Sequence, residues 1–356
     1  MKKRRLFVIF TIIILFVSCS FDSDYGYCPE TQFNPSIDEL KESKIPIVEI
    51  NVENGVAVAS KEIWLNASLK ITGDFCLQEN FERADIKIKG RGNSSWDLPK
   101  KPYAIKLSSK EKILGFPKSK KWVLIANYSD KTLLRNYFVS KLGVDLYNSV
   151  WNPSFKSVNL VVNGEYRGVY LIGESIKIDK NRVNIADLSE CDGNDGGFIF
   201  EVNQRLDENL NFITDRNVCI SLKDPDELPA EKWNFIKGAI QSAENILFSE
   251  NFNDEESGYA KYFDVDSVID WYIMNELGKN VDSANFSSIY FYYDNSDGLF
   301  HMGPNWDFDL AFGNANYYGC DSFEGLYVKE NSVWIKRMFE DPSFVKEMVQ
   351  SLFLCD

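Results

Sequence analysis

Histidine is almost missing from this chain of 356 residues, which holds a single one, His301. A His-cluster zinc centre and an HExxH protease are thereby excluded, and a Ser-His-Asp triad survives only if His301 supplies the base. His301 falls in a short apparent strand, Leu299–Met302, and reads as a packed or edge residue. Acid–base chemistry therefore falls to carboxylates. Positive charge is also short: 39 Lys and Arg against 53 Asp and Glu give a net charge of −14. That argues against sequence-independent nucleic-acid binding, which relies on basic patches that neutralise phosphates. The cysteines beyond Cys19 (Cys28, Cys76, Cys191, Cys219, Cys320 and Cys355) are scattered and form no CxxC, so no cysteine metal site is expected. No internal repeat or low-complexity tract is present. Aromatic residues are plentiful, with 26 Phe, 17 Tyr and 8 Trp. A sheet-rich core is their first expected use and a glycan-facing surface the alternative.

The chain opens with Lys2-Lys3-Arg4-Arg5, a short apolar run from Leu6 to Val17, and Ser18-Cys19. A basic start, an apolar stretch and a small residue make an export signal. The cysteine after the small residue points to lipoprotein processing, with Cys19 acylated as the new N-terminus, although Phe16 stands where such signals usually carry Leu. Cleavage without lipidation and an uncleaved anchor are the rival readings. The expected location is the bacterial cell envelope, lipid-anchored, at the outer membrane or cell surface. Residues 1–19 are then the signal and 20–44 a polar tether.

From residue 45 the pattern is β-rich. Ile45–Val52, Ala67–Thr72, Ala84–Lys89, Lys101–Leu107 and Trp122–Ala126 read as strands. Asn163-Gly164 between Ser157–Val162 and Tyr166–Ile172 is a strong hairpin signal, and Gly197–Val202 is a further strand. A helix capped by Ser129 or Asp130 is expected to run to Gly143. Helical spacing then joins Trp233, Ile236, Ile240, Ala243 and Leu247, and a helix capped by Asp266 runs toward Gly278. Strands first and helices later predict an α+β fold, with a β-rich lobe over 45–205 and a mainly helical lobe, with a truncated end as an option, over 206–356.

The stretch from 264 to 313 carries the chemistry. A helix ends near Gly278, a polar loop holds Asp282, a hairpin follows, and Asn305-Trp306-Asp307-Phe308-Asp309 closes the series. Helix, Asp loop, hairpin and Asp-aromatic turn is the order of parts in a kinase C-lobe, where one Asp orients the hydroxyl and the next holds Mg²⁺. Asp307 and Asp309 could flank a cation, since Mg²⁺ prefers oxygen ligands. Taken alone, such a DxD is equally a solvated acidic turn. In the first half, Arg91 lies in the Gly90-Arg91-Gly92 turn, where backbone amides could approach an anion. Lys106 lies on a strand and reads as a phosphate-pairing lysine or as an edge lysine. Arg135 lies on the following helix, where a kinase often places a Glu. Ser129–Gly143 contains none, so the usual Lys–Glu pair is missing or rebuilt, with Glu174 and Glu201 as substitutes.

The runs Lys87–Trp96 (KIKGRGNSSW), Lys100–Leu107 (KKPYAIKL), Lys121–Asn136 (KWVLIANYSDKTLLRN), Asn163–Leu171 (NGEYRGVYL), Gly196–Glu201 (GGFIFE) and Met302–Gly313 (MGPNWDFDLAFG) resemble the CotH family of atypical kinases. The likeness extends over about residues 45–356. It implies a protein-kinase-like fold, ATP with Mg²⁺ or Mn²⁺, and a protein substrate with a Ser or Thr acceptor. Carried over by motif, Asp282 matches the catalytic Asp and Asp307 the metal-binding Asp, with Asp309 as helper. Arg91, Lys106 and Arg135 match the nucleotide side less directly. Kinases place an Asn a few residues after the catalytic Asp; Asn285 is close, and Ser287 and Ser288 occupy the strand entrance. A non-catalytic surface-binding lipoprotein on the same scaffold is the main alternative. A glycosidase using Asp282 and Asp307 as its carboxylate pair leaves Arg91 and Lys106 unexplained.

Overall fold

The structure is a computed structural model that describes residues 34–73 and 80–353. The export signal, Cys19, Cys28, Cys76 and Cys355 lie outside the described residues. Contacts divide the chain into two compact units, one formed by 34–137 with Pro153–Ser175 and the other by Phe138–Asn152 with 176–353. This division differs from the expected halves at residue 205, because Phe138–Asn152 and 176–205 join the later residues.

The first unit begins with helix α1 (Ile37–Glu42), inside the stretch read as tether. Ser36 caps it, its hydroxyl accepting from the Glu39 amide while the Glu39 carboxylate accepts from the Ser36 amide. This capping box satisfies two helix-end donors. Strands β1 (Ile47–Val52), β2 (Leu65–Thr72), β3 (Phe81–Gly90), β4 (Tyr103–Glu111), β5 (Ser119–Ile125), β6 (Phe155–Val162) and β7 (Glu165–Glu174) close into a seven-stranded barrel. Closure comes from the parallel pairing of β1 with β6, Ile47 opposite Asn159 through Ile50 opposite Val162. Alternation puts Ile50, Leu69, Ile88, Ile105, Trp122, Leu160 and Ile172 inside, all essentially inaccessible. Each such side chain contributes about 1.5–3 kcal/mol by leaving water. The hairpin at Asn163-Gly164 has both residues at positive φ, 52° and 78°, the backbone of a type I′ turn. Between β3 and β4 lies the short helix α2 (Ser94–Asp97).

Helix α3 (Arg135–Asp145) starts later than expected and runs through Gly143. Asp130 accepts from Thr132 in the turn before the helix, and its carboxylate also accepts from the amide of Arg135, the first helical residue, so it closes the turn and satisfies one donor of the helix end. Gly143 does not stop the helix. A Cβ there would lie 2.8 Å from the Asn152 side chain, so glycine admits that amide.

In the second unit, β8 (Phe198–Val202), β9 (Asn211–Ile213), β10 (Cys219–Asp224), β11 (Ile289–Asp294) and β12 (Leu299–Met302) form one sheet in the order β12-β11-β8-β10-β9. Packed with it are α4 (Ala230–Leu247), α5 (Val265–Gly278), α6 (Tyr327–Asn331), α7 (Val333–Met338) and α8 (Pro342–Phe353). Asp264 is the N-cap residue of α5, and Asp266 sits in its first turn. The aromatics fill this core: Phe200 stacks on Phe291 at 5.2 Å, and Phe291 meets Trp334 at 5.5 Å edge to face. The chain is thus a mixture of helices and strands as expected. The closed barrel is a feature that the two-lobe expectation did not contain. Among the described residues no helix is long and apolar enough to cross a membrane.

Candidate active site

Helix α5 ends at Gly278, and Lys279 takes a left-handed conformation (φ 41°) that turns the chain back. The Asn280 amide then donates to Asn275 O at 3.0 Å, and the single turn Val281–Ser283 presents Asp282. After the β11–β12 hairpin the chain returns through Asn305 to Asp307, itself left-handed at φ 65°. A non-glycine residue there is uncommon, with Asp among the tolerated types.

Four buried asparagines tie these segments together. Asn280 Nδ2 donates to Asn275 Oδ1 (3.1 Å), Asn275 Nδ2 to Asn305 Oδ1 (3.2 Å), and Asn305 N to Asn152 Oδ1 (2.9 Å). Asn152 Nδ2 in turn donates to the carbonyls of Gly143, Tyr147 and Val150. In an interior of low dielectric such a chain fixes geometry, because each broken link strands a buried polar group.

Asp282 and Asp307 come together. Burial, and then the charge of Asp307, push the Asp282 carboxyl up to about 6, with Arg205 pulling the other way. Arg205 lies over the Phe286 ring at 4.7 Å from its centroid. Asp307 Oδ2 accepts from Ser288 Oγ at 3.2 Å, and its carbonyl accepts from Asn280 Nδ2 at 3.3 Å. Burial first, then the charges of Asp282, Cys320 and Asp309, raise the Tyr317 phenol.

The residues fit a hard divalent cation in one respect that the motif did not reveal. Asn280 spends its Nδ2 on Asn275 and Asp307, which fixes the amide orientation, and its buried Oδ1 is left without a hydrogen-bond partner. The side chain that carries this oxygen is the one whose Nδ2 reaches the Asp307 carbonyl. Among the described residues no group of three or more His, Cys, Asp or Glu side chains could hold a metal ion. A cation here would take one or two carboxylates with neutral oxygens and substrate phosphates, the usual manner for Mg²⁺. Asn285 is engaged otherwise, donating to Asn331 O at 3.0 Å.

A Lys–Glu pair is present; its acid is Glu201, one of the two substitutes expected, and its lysine is Lys223, which no motif marked. Lys223 on β10 reaches Glu201 Oε2 on β8 at 3.2 Å and also Glu208. Burial pulls Lys223 down, but Tyr290, Glu201 and Glu208 outweigh it and hold the amine charged. Nothing in the local pattern around residue 223 announces this pairing. His301 is a packed residue, stacked on Tyr292 at 4.7 Å between Asp264 (2.9 Å) and Asp297 (3.0 Å).

Arg91, Lys106 and Arg135 belong to the barrel unit. Arg91 follows Gly90, where a Cβ would meet the Trp96 ring at 2.3 Å, and precedes Gly92 at φ 85°. Both glycines thus answer local packing needs. Lys106 is exposed on the outer face of β4, directly opposite Lys87 on β3 and Lys121 on β5. With Lys87 and Lys120 it lines an open polar depression of about 700 Å³. Arg135 is buried and ion-paired with the fully buried Asp130. Of the described cysteines, Cys191, Cys219 and Cys320 are free thiols.

No curated protein matches the chain. The family described as CotH kinase protein matches residues 88–352, which takes in the barrel strands from β4 onward, Asp282, the hairpin and Asp307, and the chain belongs to the CotH family.

Proposed function

We propose that the chain is an ATP-using, divalent-cation-dependent phosphotransferase that acts on Ser or Thr hydroxyls of a protein, with a kinase-like arrangement of its site. The observation that carries this reading is Asn280, hydrogen-bonded through Nδ2 to the Asp307 carbonyl with its buried Oδ1 partnerless, in a site where the charge of Asp307 acts on Asp282. Asp307 and Asn280 would hold Mg²⁺ or Mn²⁺, with Asp309 as helper. Once bound, the cation neutralises charge on the phosphates. Asp282 orients the acceptor hydroxyl and takes its proton as the oxygen bonds to the γ-phosphorus. The bond from that phosphorus to the β,γ-bridging oxygen breaks, and ADP leaves. Tyr318 and Phe323, 79% and 88% exposed, stand in the loop that follows Asp309 and offer apolar surface for a polypeptide acceptor.

Export and lipid attachment at Cys19 to the cell envelope are part of the same proposal. Incorporation of labelled palmitate that Cys19→Ser abolishes would support them, and equal label in both would overturn them. The catalytic reading is tested by incubating the purified chain with γ-labelled ATP, Mg²⁺ or Mn²⁺ and a mixed protein acceptor, beside Asp282→Ala and Asp307→Ala. Metal-dependent label in the wild type alone is expected. No label and no metal-dependent nucleotide binding in the wild type would leave the non-catalytic binding scaffold.

A further inference from the structure

Ser288 stands in a backbone conformation that a side chain disfavours, φ 63° at the entrance to β11. Glycine is the default residue there, because a Cβ crowds the following carbonyl oxygen in the left-handed region. The serine is held on two sides. Its amide donates to Glu201 Oε1 at 2.7 Å, and its hydroxyl donates to Asp307 Oδ2 at 3.2 Å. Glu201 is itself 4% exposed and fixed through its other oxygen by Lys223. A continuous series therefore runs from Lys223 through Glu201 and Ser288 to the carboxylate of Asp307. The far end of the series is an ion pair whose carboxylate is buried and cannot swing away without stranding its charge. The near end is the acid whose rotamer decides where its second oxygen points.

We infer that Ser288, anchored by the Glu201–Lys223 pair, is a positioning residue that orients the Asp307 carboxylate for a divalent cation. This rests on the metal reading of Asp307 given above. Ser288 ligates nothing in this scheme. It fixes one oxygen of Asp307 and leaves Oδ1 turned to the cation, as hydrogen-bonded carboxylates do behind metal ligands. Strain at Ser288 has a function on this view: the hydroxyl is kept where glycine would be easier for the backbone.

Affinity and stability then separate across Ser288→Gly and Ser288→Thr, which a merely structural role would not produce. Mn²⁺ binding to the full chain is read by electron paramagnetic resonance in the presence of a non-hydrolysable ATP analogue, and stability by urea unfolding of the same samples. Ser288→Gly relieves the backbone and removes the hydroxyl, so it should unfold no earlier than wild type yet bind Mn²⁺ about tenfold more weakly or worse. Ser288→Ala should lose the same affinity. Ser288→Thr keeps the hydroxyl on a more crowded backbone and should unfold earlier while binding Mn²⁺ within about threefold of wild type. Wild-type affinity in Ser288→Gly, with binding lost in Asp307→Asn, would overturn the positioning role and leave the metal reading intact. Wild-type affinity in Asp307→Asn as well would overturn both.

Discussion

Asp282→Asn should make the metal-free protein more stable at neutral pH while abolishing transfer. Asp282 ionises near 6 in the folded chain against an ordinary 3.8, chiefly because burial penalises its charge and then because Asp307 repels it. The folded state therefore holds this proton more tightly than the unfolded state. Stability falls as pH rises from about 3.8 to about 6 and is level above that. Two pKa units at about 1.36 kcal/mol each set a ceiling near 3 kcal/mol. Solvent reaching a half-buried carboxylate brings this to about 1–2 kcal/mol. No hydrogen bond contributes to the Asp282 shift, so asparagine should lose none. The assay is urea unfolding of wild type and variant in a chelator at pH 4 and pH 7.5. The variant should gain about 1–2 kcal/mol at pH 7.5 and differ by less than about 0.5 kcal/mol at pH 4. Equal destabilisation at both pH values would refute the claim that Asp282 is a desolvated carboxylate facing Asp307.

Three further outcomes follow from the packing. Burial lowers the His301 pKa, but Asp264 and Asp297 outweigh it and raise the value above 6.5. Its contribution should be fully present below about 6.5 and lost as pH rises through the elevated folded value, so His301→Gln should destabilise more at pH 5.5 than at pH 9. Buried Glu244 accepts from Thr214 Oγ1 (2.7 Å), Trp334 Nε1 (2.9 Å), Arg216 N (3.1 Å) and Gln241 Nε2 (3.1 Å). Glu244→Gln turns an acceptor into a donor facing donors and should cost about 2–4 kcal/mol in urea unfolding; a loss under about 0.5 kcal/mol would contradict the network. Gly90→Ala drives a methyl to 2.3 Å from the Trp96 ring and should cost about 1–3 kcal/mol. A double-mutant cycle with Trp96→Leu should recover most of that loss, and full additivity would refute the contact.

The parts of the fold that were legible are those written in local pattern. Asn163-Gly164 marked its hairpin, and the spacing of Ile236, Ile240, Ala243 and Leu247 marked α4, whose buried face they form. Asp282 and Asp307 stand out as candidates because a loop and a hairpin of fixed order separate them. Pairing across long separations was not legible. The parallel register of β1 with β6 joins residues more than a hundred positions apart and closes the barrel, yet neither strand looks different for it. Ser36 and Glu39 lie in a segment too polar to suggest a helix, although their spacing is that of a capping box. Glycine usually stops a helix, whereas the space that Gly143 leaves is taken by Asn152. Asn280, Asn275, Asn305 and Asn152 are ordinary polar letters until the fold buries them in one line. Lys223 gives no sign of Glu201 for the same reason, since its partner is chosen by neighbouring strands of a sheet.

The central claim is that Asp307 holds the cation while Asp282 handles the acceptor, and two conservative variants separate these roles. Binding of Mn²⁺·ATP and transfer of its γ-phosphate should be measured on the same preparations of wild type, Asp282→Asn and Asp307→Asn. Asp282→Asn should bind Mn²⁺·ATP within about threefold of wild type and transfer at least about a hundredfold more slowly. Asp307→Asn should lose both binding and transfer. Transfer at the wild-type rate by either variant would contradict the account.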